Sequence, residues 1–307
     1  MHARLIAYPP DQAAITRPLE AGGSLRIGRA GDIGMLIDHP SISRAHAELQ
    51  ARGDGWTLRD LDSKNGSFVE GSRVAEATLD RPCWLRLGDV YCEFAPLSEA
   101  EVAAGESGLR ARRAVATAHT ARIDGLQRLE DLLDASLRGV LELAQCERGF
   151  VLLAEGRLGD DEAFAVRTSL ALDPARLSAR EFSGSVGAVR RALEQRRSVV
   201  ANDIGREAWL ASRDSVIAAG LSALVCLPLL DGERALGAVY ADRTRPGPAI
   251  TTLDLELLEA FAERASLWIA ARHASELLAG ARYDQSQPQW SGILAAHAHA
   301  RAAGDAP

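Results

Sequence analysis

The stretch HPSISRAHAEL, which runs from His39 to Leu49, places two serines, an arginine and two histidines just before a strand-like alternation. A turn that only reverses the chain needs none of this chemistry, since Gly, Pro, Asn and Asp satisfy its backbone. Cationic side chains recur in the segments on either side, LRIGRAGD at 25–32 and DLDSKNGSFVEG at 60–71. A divalent phosphate ester needs positive charge together with several short hydrogen-bond donors. The three segments therefore predict a phosphate site, provided that the fold brings them together.

The residues around these segments predict an all-β sandwich over residues 1–96. Short alternating runs such as HAELQAR and WTLRDL are separated by turn clusters such as RGDG and DSKNG. In the run VYCEF, residues 90–94, the valine, cysteine and phenylalanine fall on one face and the tyrosine and glutamate on the other. That alternation is typical of a strand that packs against a core.

Beyond residue 96 the sequence predicts a linker and a second domain. Residues 97–122 are rich in Ala, Glu and Arg and predict a partly helical linker with a break at EVAAGESG, residues 101–108. Residues 123–275 alternate strand and helix patterns, which favours an α/β domain. Residues 276–307 are polar and Ala-rich without a period and predict a disordered tail. The expected fold class is therefore multidomain, with a helical linker between an N-terminal sandwich and a C-terminal α/β domain.

One helical segment of the second domain carries a continuous apolar stripe. Its members recur at steps of three and four: Leu126, Leu129, Leu133, Leu137, Val140 and Ala144. Such a stripe is either the core face of a globular helix or a surface for a partner helix. The sequence leaves both alternatives open.

The composition is that of a soluble globular protein large enough for two domains. Of 307 residues, 47% are hydrophobic and 25% are charged, and the formal net charge is −7. An acidic chain has no overall attraction for nucleic acid or for an anionic membrane, so neither is expected as a partner. The sequence contains neither a signal-peptide pattern nor a run of about 18 apolar residues, and a cytoplasmic location is expected.

Lysine, cysteine and histidine usage excludes several classes of chemistry. Lys64 is the only lysine, so a G-x-x-x-x-G-K-[ST] nucleotide loop or a lysine Schiff base elsewhere is excluded. The four cysteines lie far apart in apolar contexts, which predicts buried reduced thiols and no metal or disulfide framework. Because the seven histidines do not assemble into a nucleophile–base pair or a metal cluster, we expect no enzyme activity, no metal and no cofactor.

The candidate phosphate ligands come from all three segments. They are Arg29 after Gly28, Ser43 beside Arg44, and Lys64 followed by Asn65 and Gly66. A guanidinium offers a planar fork of donors to phosphate oxygens, and a glycine can take a positive φ or allow a close approach. A carboxamide both donates and accepts, so it can pair with the backbone of an extended peptide.

Four landmarks in this order resemble the forkhead-associated (FHA) family: IGR at 27–29, SISRAH at 41–46, DLDSKNGSFVEG at 60–71 and LRLGD at 85–89. The resemblance implies an eleven-strand β-sandwich that binds phosphothreonine peptides. It implies phosphate-ligand roles for Arg29 and Ser43, contacts to the phosphorylated residue for Arg44 and Lys64, a peptide-backbone contact for Asn65, and structural support from Gly28, His46 and Gly66.

Two positions depart from the family pattern. Lys64 stands where many members carry threonine, which leaves the selectivity for threonine over serine open. Glu70 stands where asparagine is usual before the glycine, so we expect that loop to pair differently.

The second domain resembles the GAF family, a small-molecule-binding and dimerising α/β module of bacterial signalling proteins. The resemblance rests on RGFVLLAE at 148–155, CLPLL at 226–230 and ALGAVYADR at 235–243. The sequence identifies no ligand for this domain. A helix beginning near Ser185 could hold an anion at its N-terminus with Arg190 or Arg191, although a serine there is usually only a cap.

Two functional hypotheses follow. The first is a phosphothreonine-binding signalling adaptor whose GAF-like domain dimerises or senses a small molecule and which has no catalytic output domain. The alternative is a ligand-sensing GAF regulator in which the FHA-like domain only docks the protein to a transcription or kinase complex. The expected partners are a phosphothreonine-containing protein, either a Ser/Thr kinase or its substrate, an unknown small molecule and a second copy of the chain.

Overall fold

The computed structural model describes residues 1–124, 126, 128–155, 163–172, 185–202 and 221–281. The first domain has eleven strands. They are β1 (His2–Tyr8), β2 (Ile15–Leu19), β3 (Ser24–Gly28), β4 (Met35–Leu36), β5 (Ala47–Arg52), β6 (Gly55–Asp60), β7 (Ser67–Val69), β8 (Ser72–Val74), β9 (Glu76–Leu79), β10 (Cys83–Leu87) and β11 (Val90–Leu97).

These strands form two sheets that pack as a sandwich. One sheet has the order β2-β1-β11-β10-β7-β8 and the other the order β4-β3-β5-β6-β9. The core between them includes Leu5 and Phe94 from the first sheet and Leu49, Trp56 and Leu58 from the second, each at most 1% exposed. The alternation read from residues 90–94 is confirmed, since Val90, Cys92 and Phe94 are all fully buried.

A long helix, α1 (Glu99–Asp124), follows the sandwich directly. The predicted break at residues 101–108 is wrong, because the helix runs through Gly105 and Gly108. Each glycine costs a helix only about 1 kcal/mol relative to alanine, and the surrounding Ala, Glu and Arg residues are good helix formers. Ser98 and Glu101 also form a capping box at its start: the Ser98 N–H and hydroxyl donate to Glu101 Oε2 at 2.8 and 2.7 Å.

Among the residues of the second domain that the structure describes, five strands form a sheet with the order β13-β12-β16-β15-β14. Its strands are β12 (Arg148–Glu155), β13 (Ala163–Leu170), β14 (Val199–Asn202), β15 (Ala223–Asp231) and β16 (Arg234–Arg243). Its helices are α2 (Leu129–Ala144), α3 (Val186–Gln195) and α4 (Thr252–Ala281). The helix α4 continues six residues past the predicted domain end at 275, and the rest of the predicted tail, 282–307, lies outside the described residues.

The apolar stripe of α2 is a core face. Leu133, Leu137, Val140 and Ala144 are at most 3% exposed, and α2 packs on strands β12, β13 and β16. A Cβ at Gly139 would come within 2.6 Å of Phe261, so α2 also lies very close to the start of α4. The stripe is thus covered by its own chain and is not free for a partner helix.

Side-chain caps mark the starts of α3, which the sequence predicted near Ser185, and of α4. The Ala188 N–H donates to Ser185 Oγ at 3.1 Å at the start of α3. At the start of α4, the Thr251 N–H donates to Asp254 Oδ2 at 2.9 Å and the Asp254 N–H returns to Thr251 Oγ1 at 3.4 Å. Among the residues that the structure describes, none of the helices combines the length and apolar character needed to cross a bilayer.

Candidate functional site

The three segments singled out in the sequence meet at one end of the sandwich. The β3–β4 loop is tied to the β4–β5 loop because the Arg29 N–H donates to the Ser43 carbonyl at 3.0 Å and the Ala30 N–H to the Arg44 carbonyl at 3.2 Å. The β6–β7 loop joins them because the Lys64 N–H donates to Ser43 Oγ at 3.0 Å. Ser43 is therefore the point where all three loops are bonded together.

Gly28 is required by the closeness of two backbones. A Cβ at this position would lie 2.2 Å from the Arg44 carbonyl oxygen and 2.8 Å from Ile33 Cδ1. No rotamer relieves a clash with a backbone carbonyl, so a side chain here would separate the β3–β4 loop from the β4–β5 loop. The close approach of the two backbones is the reason that a glycine is needed at position 28.

His46 joins two of the loops from inside the domain. Its Nδ1 accepts the Ser43 N–H at 3.1 Å, and its Nε2 lies 3.2 Å from the Gly66 carbonyl oxygen. Since a backbone N–H only donates and a carbonyl only accepts, Nδ1 must be unprotonated and Nε2 must carry the proton. The imidazole is fully buried, and its burial lowers the pKa of His46 below the ordinary histidine value.

In this arrangement both ring nitrogens of His46 are used to hold backbone groups of two loops. Its Nδ1 is occupied by the backbone of Ser43 and does not reach for that residue's hydroxyl. A base that activates a serine must accept the hydroxyl proton itself. The geometry is that of a binding loop held in shape.

A half-buried carboxylate, Asp60, shapes the β6–β7 loop. Asp60 accepts the Ser63 N–H at 2.9 Å, the Ser63 hydroxyl at 2.7 Å and the Ser67 hydroxyl at 2.5 Å. Burial alone would raise the pKa of Asp60, but these hydrogen bonds outweigh it and lower the pKa below its ordinary value. Gly66 closes the loop with φ of +80°, which agrees with the expected need for a positive φ there.

Ser41 is a supporting residue that the sequence reasoning missed. Its hydroxyl accepts the Asp89 N–H at 2.8 Å, and its carbonyl accepts Asn65 Nδ2 at 2.7 Å. The Gly88 N–H donates to the Gly66 carbonyl at 3.1 Å, so the β10–β11 turn supports two of the loops. The glycine–aspartate pair in LRLGD was the available signal, but only the fold shows that it contacts Ser41.

The cationic groups lie on the solvent side of this framework. The side chains of Arg29, Arg44 and Lys64 are exposed, and within the described part of the chain their charged groups have no hydrogen-bond or ion-pair partner. Ser43 is half-buried between them, and its hydroxyl keeps its proton for donation because the Lys64 N–H uses only an oxygen lone pair. Asn65 donates one of its two amide hydrogens to the Ser41 carbonyl, and its carboxamide oxygen can still accept a hydrogen bond.

Glu70, which stands where the FHA family usually has asparagine, lies in the turn between β7 and β8. Glu70 and Gly71 form the two-residue turn between β7 and β8 with φ of 48° and 80°. This turn favours asparagine followed by glycine because both residues have positive φ. Glu70 compensates through its carboxylate, which accepts the Trp84 N–H at 2.6 Å.

Two family models match separate parts of the chain. Residues 25–91 match the FHA domain and residues 128–269 match the GAF domain. The chain carries an FHA domain followed by a GAF domain. Both are binding or signalling domains, and the multidomain architecture expected from the sequence is confirmed.

The curated relatives resemble the FHA part of the chain. The FHA domain-containing protein FhaB of Mycolicibacterium smegmatis is 30% identical over 97 residues, which are 31% of this chain and 61% of FhaB. The transcriptional regulatory protein EmbR of Mycobacterium tuberculosis is 33% identical over 92 residues, 30% of this chain and 22% of EmbR. The ABC transporter ATP-binding/permease protein Rv1747 of the same species is 40% identical over 73 residues, 24% of this chain and 8% of that protein. The chain thus spans less than two thirds of each relative.

Solved structures match the same region. The FhaA FHA domain complexed with the intracellular domain of Rv3910 is 30% identical and covers 30% of this chain and 98% of its own, with a TM-score of 0.27. EmbR of Mycobacterium tuberculosis in complex with a low affinity phosphopeptide is 31% identical and covers 30% of this chain and 26% of its own, with a TM-score of 0.26.

The GAF domain contains a buried polar network beside the start of α3. Asp242 is fully buried and accepts Arg148 Nε at 2.5 Å and the Tyr240 hydroxyl at 2.6 Å. The Tyr240 oxygen in turn accepts the Ser185 N–H at 3.0 Å. Burial and the neighbouring Asp242 raise the pKa of Tyr240. This network fixes the entry of α3 onto the sheet.

The residues considered for an anion site at the start of α3, where a serine cap was the favoured interpretation, have other partners. Ser185 acts as the helix cap, Arg190 lies 3.9 Å from Glu194, and Arg191 Nη1 lies 2.7 Å from Asp11 Oδ2 of the FHA domain. Within the described ranges no three His, Cys, Asp or Glu side chains are grouped to hold a metal. Cys226 is fully buried in β15, and burial raises the pKa of its thiol to about 12.

Proposed function

We propose that this chain is a signalling adaptor whose FHA domain binds a phosphothreonine-containing protein, either a Ser/Thr kinase or one of its substrates. The observation that carries the proposal is the bonding of three loops at Ser43, which brings the exposed residues Arg29, Arg44 and Lys64 to one end of the sandwich. In an acidic chain this local cluster is where an anionic group gains most. The binding is recognition without turnover.

The proposed mechanism assigns one contact to each group. Arg29 offers its planar fork to two phosphate oxygens, Ser43 donates its hydroxyl hydrogen, and Lys64 supplies a third positive charge. The carboxamide oxygen of Asn65 accepts an N–H from the extended peptide backbone. Because His46 and Ser41 already hold the loops in place, little conformational entropy is lost when the phosphate binds.

The direct test removes the Arg29 fork. Arg29→Ala should weaken binding of a phosphothreonine peptide by about tenfold to hundredfold, because a charge-assisted hydrogen bond contributes about 1.5–3 kcal/mol. The measurement is a fluorescence-polarisation titration of the full chain with a peptide selected from a phosphothreonine library, alongside the same peptide with unmodified threonine.

Arg26→Ala is the matched control for this test. Arg26 lies three residues earlier on β3 and pairs with Glu48 at 3.2 Å, away from the three loops. It should leave the titration unchanged. Equal affinities for wild type and Arg29→Ala, with both folded, would reject the assigned role.

The GAF domain supports a second candidate function, in which the protein is a ligand-sensing regulator and the FHA domain docks it to a transcription or kinase complex. The GAF match, residues 128–269, is longer than the FHA match, residues 25–91. Native mass spectrometry of the purified protein tests this reading: a small molecule retained by the chain favours it, and a ligand-free mass after mild desolvation counts against it.

A further inference from the structure

The β1–β2 loop, residues 9–14, lies at the same end of the sandwich as the candidate site. β1 is antiparallel to β11, and its last residue, Tyr8, pairs with Tyr91 next to the Gly88–Asp89 turn. That turn supports Ser41 and Gly66 through two backbone hydrogen bonds. The loop therefore emerges beside the framework that holds the phosphate-binding segments.

The same loop contacts the segment that leads into the site. Gln12 Nε2 donates to the Asp38 carbonyl at 3.1 Å. The next residue, His39, bonds to Ser41 through its Nδ1, which lies 2.8 Å from the Ser41 hydroxyl oxygen. Ser41 in turn holds Asn65. A chain of hydrogen bonds through Asp38 and His39 thus links the loop to Ser41 and Asn65 at the binding end.

On its other side the loop is bonded to the GAF domain. The Ala14 N–H donates to the Ile250 carbonyl and the Thr252 N–H donates to the Ala14 carbonyl, both at 2.9 Å. Ala14 is fully buried. Asp11 adds the ion pair with Arg191.

An apolar cluster surrounds this contact. It consists of Ile6, Tyr8 and Ala14, with Trp84 and Ala249 packed against them. Ile6 and Tyr8 lie on the face of β1 that points away from the sandwich core, yet each is only 8% exposed. The contact between the domains therefore has an apolar centre, as stable interfaces do.

The GAF side of the interface is itself held from within its domain. Asn202, at the end of β14, donates to the Ile250 carbonyl at 3.1 Å and accepts the Ile250 N–H at 2.8 Å. Arg112 of α1 binds both carboxylate oxygens of Asp254 at 2.7 and 2.9 Å. Ile250 is thus bonded both to Asn202 of the GAF sheet and to Ala14 of the FHA domain.

We propose that the GAF domain sets the affinity of the FHA site for phosphothreonine by holding the 9–14 loop in place. Gln12, Ala14 and Asn202 are positioning residues: they touch neither the phosphate nor the peptide and act through Asp38 and Ser41. The inference rests on the proposed phosphothreonine binding. It predicts that changes made in the GAF domain alter peptide binding at a site they do not contact, and that peptide binding stabilises the interface by the same factor.

The first experiment changes the GAF domain only. In full-length protein, Asn202→Ala should weaken phosphothreonine-peptide binding about fivefold and Arg191→Gln about twofold to fivefold, since an exposed ion pair contributes little. Arg196→Gln is the matched control, because Arg196 forms a similar exposed pair at 2.8 Å with Glu233 inside the GAF domain. Asp11→Asn should reproduce Arg191→Gln, and the double variant should add no further loss.

The second experiment tests whether peptide binding at the FHA site stabilises the interface with the GAF domain. Hydrogen exchange of the Ala14 and Thr252 amides, whose bonds cross the interface, should slow when the full chain is saturated with the phosphothreonine peptide, and should not slow with the unmodified peptide. Two results together would overturn the coupling and leave the proposed function intact. The peptide binds but the exchange of the two amides does not change, and Asn202→Ala and Arg191→Gln bind the peptide with the same affinity as Arg196→Gln. Failure of the wild-type chain to bind any phosphothreonine peptide removes the proposed function, and this inference with it.

Discussion

At the scale of single residues, the candidate site depends on side chains whose partners are backbone groups. His46 is held between the Ser43 N–H and the Gly66 carbonyl, which admits only one neutral tautomer. Protonation of Nδ1 would place a second donor against the Ser43 N–H and break the link between two loops. The loops that carry the solvent-exposed cations therefore depend on a buried imidazole that must remain uncharged.

The lowered pKa of His46 predicts an acid-sensitive FHA domain. The unfolded chain takes up its histidine proton near pH 6.5, whereas the folded domain resists protonation because the imidazole is buried. The unfolded state therefore binds more protons below that pH, so stability is fully present above about pH 6.5 and is lost as the pH falls toward the folded pKa. Thermal melting from pH 8 to pH 5 checks this.

His46→Gln should make the same melting curve less dependent on pH, although it lowers stability at pH 8. His2→Gln, on the half-exposed first residue of β1, should retain the wild-type dependence. A folded-state NMR titration of the His46 ring with a pKa at or above 6.5 would contradict the prediction.

Gly28→Ala tests the closeness of the two backbones. The added methyl would lie 2.2 Å from the Arg44 carbonyl oxygen, so the β3–β4 and β4–β5 loops must separate. We expect a loss of about 1–3 kcal/mol in the free energy of unfolding of the FHA domain, as for other overpacked sites, together with weaker phosphopeptide binding. Gly31→Ala in the same loop meets nothing within 4 Å and should change neither the urea midpoint nor the titration.

At the scale of elements, the sequence pattern identified helices and strands better than it identified what covers them. The stripe on α2 was compatible with a core or with a partner helix, and burial of Leu137 and Val140 decides for the core. The predicted break in α1 failed because glycine alone does not end a helix whose neighbours favour it. A local sequence pattern shows which residues share one face of a helix or strand. Which other element covers that face depends on the fold.

Leu137→Ala tests the role of the stripe. Leu137 is fully buried and packs on the sheet, so its truncation should lower the free energy of unfolding by about 2–5 kcal/mol. Urea unfolding of the GAF domain measures this loss. Leu141→Ala, on a less buried position of the same helix, should cost clearly less. A small effect of Leu137→Ala on stability combined with a change in oligomeric mass would restore the partner-helix alternative.

At the scale of the whole molecule, the expected homodimer must use another surface. The helix α4 carries Leu267, which is 61% exposed. An exposed leucine on a long helix is a candidate for contact with a second copy of the chain. Because the stripe on α2 is covered, we place the expected interface on α4.

Light scattering checks this prediction. At micromolar concentration the mass should be close to twice the 32.8 kDa of one chain, and Leu267→Arg should lower it toward one chain, because a charge at the centre of an interface is poorly solvated. Val186→Arg is the control, since Val186 is 64% exposed but lies on α3. A monomeric mass for the wild type would remove the homodimer from the proposal.

The sequence by itself determined the two domain types, the strand alternation of the sandwich and the identities of Arg29, Ser43, Lys64 and Asn65 as candidate ligands. These are local properties, since alternation, turn chemistry and charge are written in neighbouring residues. Only the tertiary structure decided the support of the site by Ser41, the tautomer of His46 and the contact of Ala14 with Ile250. Each of these depends on a backbone group far away in the chain, and no pattern in a single sequence states which distant N–H or carbonyl the fold will bring within 3 Å.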